Sequence, residues 1–98
     1  MALKIVWTDK ALEGLDEILE YLQTHWSEKE ILLLEQKIED FKARVKKYPK
    51  IYPTIGKYKN THKAVLDKHN YFVYRFKPRK KIIELVYFKA NKQKPIVQ

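Results

Sequence analysis

The sequence predicts a single α+β domain: an N-terminal strand, then an antiparallel helical hairpin packed on one face of a twisted, mainly antiparallel sheet of three to four strands. Three observations lead there. The chain has 98 residues, enough for one compact core and too few for two ordinary ones. Its first half carries two apolar stripes at helical spacing. Its second half carries β-favouring runs separated by short turns.

Lys4 to Trp7 reads as a short strand, and Thr8 can cap the helix that follows. From Ala11 onward, Leu12, Leu15, Ile18, Leu19 and Leu22 recur at spacings that line one helix face. Glu13, Asp16, Glu17 and Glu20 fill the other positions. Gly14 costs about 1 kcal/mol of helix propensity, which the clean periodicity outweighs. Thr24 to Ser27 is a break, and Ser27 with Glu30 has the form of a capping box. The second helix carries Ile31, Leu34, Ile38, Phe41 and Val45, with Leu32 and Leu33 widening the stripe. It ends near Lys47, ahead of Pro49.

Residues 48–53 form an irregular link held by two prolines, and Ile55 to Tyr58 is a short strand or a turn. Lys63 to Asp67 reads as a strand and His69-Asn70 as a turn. Tyr71 to Lys77 and Lys81 to Phe88 are strong strands joined at Pro78-Arg79-Lys80. In the central strand, alternation puts Phe72, Tyr74 and Phe76 toward the helices. Tyr71, Val73, Arg75 and Lys77 then face away. Ile82 to Phe88 is apolar on both faces, which suits an interior strand or one covered by a partner. Asn91 to Gln98 is a short polar tail.

The charge is lopsided. Residues 1–50 hold nine basic and ten acidic side chains, and residues 51–98 hold twelve basic and two acidic ones, so the net +9 belongs to the second half. A field focused in that way attracts an anionic partner. There is no cysteine, which excludes thiol chemistry and disulfides, and with two glycines there is no Gly-rich phosphate cradle. His25, His62 and His69 are scattered without metal-ligand spacing, so neither a metal nor another cofactor is expected. His25 reads as a helix-end residue. His62 and His69 lie near strand ends, where contact with RNA is one role and a plain surface histidine the commoner one. Ser27, the lone serine, is accounted for by capping. Glu84 either faces solvent or pairs with a lysine. No signal peptide and no membrane span are expected, so the cytoplasm is the default location.

The remaining chemistry is cationic and aromatic. Lysines and arginines interleave with tyrosines through the second half. Cations neutralise phosphate, and aromatic faces stack bases. Metal-free RNA cleavage is within reach of such a set if one group takes the 2′-hydroxyl proton and a cation steadies the phosphate. A plain docking surface uses the same residues.

The order of these segments resembles the RelE/ParE superfamily of bacterial toxins. Ile5-Val6-Trp7, the helix from Ala11 to Leu22, the proline-containing link from Tyr48 to Gly56, the hairpin from Lys63 through Tyr74, and Ile83 to Phe88 followed by Asn91 to Pro95 carry the likeness. The resemblance implies the toxin of a type II toxin–antitoxin pair, neutralised by a cognate antitoxin. An acidic or amphipathic antitoxin segment is expected on the open sheet face or its edge. It further implies ribosome-dependent mRNA cleavage or inhibition of DNA gyrase. The alternative from another class is a non-enzymatic basic nucleic-acid- or protein-binding module. Lys63 and Lys92 stand where many members carry arginine, and Tyr71 stands where ribosome-dependent members tend to. The candidate catalytic residues are therefore Lys63, Lys92, Arg75 and Tyr71. Lys89, Tyr87, Lys77 and Lys59 are candidate docking residues.

Overall fold

The computed structural model describes residues 3–25 and 27–90. Strand β1 (Lys4–Trp7) leads into helices α1 (Asp9–His25) and α2 (Glu28–Lys47), followed by β2 (Thr61–Val65), β3 (Asn70–Lys77) and β4 (Ile82–Ala90). The four strands form one sheet in the order β1-β4-β3-β2. β2, β3 and β4 are antiparallel neighbours, and β1 runs parallel to β4. The parallel pair follows from the helical hairpin, because a crossover of that length carries the chain back to the starting end of the sheet. Both helices lie over one face, with the core between them and the sheet.

Thr8 does more than cap α1. Its Oγ1 accepts the Ala11 N–H at 3.1 Å and donates toward the Leu85 and Val86 carbonyls at 2.8 and 3.0 Å. That site on β4 is a bulge. Val73 pairs with Tyr87 and Tyr74 with Leu85, so Val86 has no partner on β3. A bulge inverts the alternation beyond it. Leu85 and Phe88, three residues apart, are consequently both buried in the core. The bulge thus accounts for Leu85 and Phe88 sharing the core, while β4 itself is an interior strand between β1 and β3, the first of the two readings of its double-sided apolar pattern.

Helix α2 buries Leu34, Ile38, Phe41 and Val45. Phe41 stacks on Phe72 at 4.5 Å, and Phe72 stacks on Phe88 at 4.3 Å, linking helix, β3 and β4 through the middle of the core. Phe72 and Tyr74 are fully buried on the helix face as expected, and Phe76 packs at its margin. Tyr74 donates its hydroxyl to the Pro49 carbonyl at 2.7 Å, which ties the proline link to the sheet. Burial pushes this phenol up to about 12.

Four expectations are corrected. Leu32 and Leu33 lie exposed, because the four-residue stripe of α2 already fills its contact with the sheet. Ser27 is the N-cap but makes no capping bond through its side chain. Its hydroxyl donates to the Glu30 carboxylate at 2.6 Å instead. Helix α1 runs through Thr24 to His25, since Thr24 Oγ1 bonds back to the Tyr21 carbonyl at 2.9 Å rather than breaking the turn. β2 begins at Thr61 and ends at Val65, two residues ahead of the expected span; of the two readings of residues 55–58 the turn holds, at Gly56 and Lys57. A lone bridge from Thr54 to His62 accompanies it.

The β2–β3 turn is held by Asp67. Oδ1 accepts the His69 and Asn70 N–H groups at 2.7 and 2.9 Å, and Oδ2 takes Lys37 of α2 at 2.8 Å. Partial burial raises the pKa of this carboxyl, but Lys37 and the two amides outweigh it, so it lies below the ordinary value. A depressed folded pKa contributes stability above the unfolded value of ~3.9, lost as pH falls through the folded one. Asp67→Asn keeps an acceptor for the turn and removes the charge. It should lower the melting temperature at pH 7 by an amount corresponding to about 1 kcal/mol or less. The gap to wild type should close in melts run near pH 2, and a gap that persists there would show that charge is not its source.

Candidate nucleic-acid interface

The helices cover one sheet face, and the other is uncovered among the described residues. Strand register composes it row by row. Lys4, Ile82 and Lys77 form the first row, and Val6, Glu84, Arg75 and Thr61 the second. Tyr87, Val73 and Lys63 form the third, and Lys89, Tyr71 and Val65 the fourth. Six of the candidate residues, Lys63, Arg75, Tyr71, Lys89, Tyr87 and Lys77, therefore share this face. Lys59 stands beside it in the loop before β2, and Lys92 lies outside the described residues.

The lysines lean on the tyrosines. Lys63 Nζ sits 4.4 Å from the Tyr71 ring centroid, and Lys89 Nζ sits 5.1 Å from that of Tyr87. At exposed sites such contacts are worth about 0.5–1 kcal/mol. They hold the ammonium groups against the sheet, so less side-chain freedom is lost when an anion arrives. Val73 is buried even here, between Lys63 and Tyr87 in its row.

Glu84 is the one carboxylate in these rows. Its Oε1 lies 3.4 Å from Lys77 Nζ and 3.7 Å from Arg75 Nη1. Arg75 also points its Nε at Thr61 Oγ1, at 3.4 Å. The result is a carboxylate flanked by two cations in the middle of a cationic face. Sequence reasoning left Glu84 between solvent and a lysine partner. The cross-strand pairing of residues 84 and 75 is what brings it into the site.

His62 is removed from the surface. It projects to the core side of β2, is buried, and stacks on Tyr74 at 5.0 Å. Nδ1 donates to the Tyr52 carbonyl at 2.7 Å, which sets the tautomer and leaves Nε2 buried without a partner. His69 is exposed at the β2–β3 turn. His25 ends α1 and stacks on Tyr21. Among the described residues no cluster of His, Asp and Glu is disposed to hold a metal ion, and no helix is long and apolar enough to cross a membrane.

Compared with known proteins, the chain matches no family model and no curated protein.

Proposed function

We propose that this chain is a toxin of the RelE/ParE type, neutralised by an antitoxin, that arrests growth by cleaving mRNA on the ribosome. The observation that carries the reading is the uncovered sheet face, where Lys63, Arg75, Lys77 and Lys89 surround Tyr71, Tyr87 and the single carboxylate of Glu84. Cations of this kind hold phosphate, and the tyrosine rings offer faces for unpaired bases. A phosphate held between Arg75 and Lys63, which stand in neighbouring rows of the face, lies beside Glu84, the row partner of Arg75. In that position the ionised Glu84 takes the 2′-hydroxyl proton, and the 2′ oxygen attacks the adjacent phosphorus. The bond to the 5′ oxygen breaks, and that oxygen takes a proton from Lys63. Arg75 offsets the charge gathering on the phosphate. The same face suits an acidic antitoxin segment, which would block it.

Induced expression should arrest growth and produce new transcript ends at fixed codon positions on translating ribosomes. Glu84→Gln should keep RNA binding and abolish those ends. Arrest without new ends would sink the cleavage reading. The long helices, 17 and 20 residues, favour a second reading as a gyrase inhibitor. Loss of supercoiling by purified gyrase would support it. Binding without cleavage, arrest or gyrase inhibition would leave a non-enzymatic module.

A further inference from the structure

The open face ends at the β3–β4 turn in a depression of about 420 Å³, whose walls include Lys59, Arg75, Lys77, Arg79 and Lys80 and no acidic residue. Its backbone is fixed on both sides. On one side the Phe76 N–H donates to the Asn60 carbonyl at 2.8 Å, seating the loop that carries Lys59 against β3. Asn60 takes a φ of 59°, a left-handed conformation that asparagine tolerates better than most residues. On the other side the turn is closed by the Lys81 N–H on the Pro78 carbonyl at 3.2 Å. Lys59, Arg79 and Lys80 have no ion-pair partner among the described residues, and Glu84 reaches only Arg75 and Lys77. A rigid frame that converges like charges in this way carries a repulsion that a bound anion relieves.

This place is distinct from the Lys63–Tyr71–Lys89 end of the face. The Lys77–Ile82 row lies four residues along β3 from the Val73 row, roughly 13 Å at strand rise. One phosphate cannot touch both ends. We propose that the hairpin end is a second phosphate-holding site, which grips the backbone of a single-stranded RNA laid along the sheet from Tyr71 toward Arg79. The assignment rests on the RNA-directed reading above. An RNA strand fits better than an acidic peptide because aromatic faces accompany the cations. Phe76 lines the depression, and Tyr58, next to Lys59, is the most exposed large apolar side chain among the described residues, at 69%. The arginine forks suit phosphate oxygens.

The test compares the full wild-type chain with Arg79→Gln/Lys80→Gln, both positions being exposed on the turn. Affinity is measured by fluorescence anisotropy for labelled oligouridylates of increasing length, over a range of salt. Wild type should show a step in affinity once the strand is long enough to cross both ends. The double variant should lose that step, about tenfold at low salt, and its log–log salt slope should be shallower by about 1.4, the value for two phosphate contacts on single strands. Unchanged melting temperature establishes that the variant is folded. An unaltered step in the variant, or equal losses at every length, would overturn the second site while leaving RNA binding intact. Preferential competition by a polyaspartate peptide would reassign the depression to an acidic chain. Failure of wild type to bind any of the oligomers would overturn the RNA reading and the second site together.

Discussion

Replacing Gly14 by alanine is expected to lower the melting temperature by about 10 °C, although alanine is the better helix former. A Cβ built at this position lies 2.0 Å from the Phe88 carbonyl oxygen and 3.1 Å from its carbon. The obstacle is the backbone of β4, held on its far side by pairing with β3, so it cannot swing away like a side chain. Helix α1 must lift instead. Lifting it strains the Thr8 bonds to the bulge at Leu85 and Val86 and opens the contact of Ala11, which is fully buried. Helix propensity favours alanine by about 1 kcal/mol. Overpacking costs typically 1–3 kcal/mol and more where the backbone must move. The steric effect wins by about 2 kcal/mol, and for a domain of this size each kcal/mol is worth about 4–8 °C. Glu13→Ala, exposed one position earlier, reports propensity alone and should leave the melting temperature nearly unchanged. A Gly14→Ala protein as stable as wild type would mean that α1 does not rest on β4 at this distance.

Gly14 also marks where reading the sequence stops. Composition and spacing treat it as a flaw in an otherwise good helix, because the reason for it lies 74 residues away at Phe88. The helices, the β3–β4 hairpin and the core role of Phe72 and Tyr74 were legible because each depends on local periodicity. The bulge at Val86 was legible only as an oddity, a strand apolar on both faces. What resolves it is the Thr8 hydroxyl, which belongs to the other end of the chain. His62 was misread for the same reason: its burial depends on a carbonyl of Tyr52 in the irregular link. Of the candidate site, the alternation of β3 correctly sent Tyr71, Arg75 and Lys77 to one face. That Lys63, Lys89 and Glu84 join them follows from register, which no local pattern specifies.

The largest effect on function is expected from removing three cations of that face together. Lys63→Gln, Arg75→Gln and Lys89→Gln should weaken binding to single-stranded RNA by about fiftyfold at physiological ionic strength and flatten the log–log salt slope by about 2, at roughly 0.7 per phosphate contact. Growth arrest should disappear with it. The three side chains are partly or fully exposed, and such surface changes usually alter stability by no more than ~0.5 kcal/mol each, so the variant should melt close to wild type. Net charge is the competing explanation, because the chain stands at +9. A matched variant separates the two. Lys10→Gln, Lys29→Gln and Lys46→Gln remove the same charge from exposed positions on the helices. At physiological ionic strength the screening length is about 8 Å, so cations across the thickness of the domain contribute little to a phosphate on the open face. The helix variant should therefore bind RNA within about twofold of wild type and remain toxic. If both triple variants lose affinity equally, the molecule is attracting RNA by its total charge, and the uncovered sheet face is not where the strand lies.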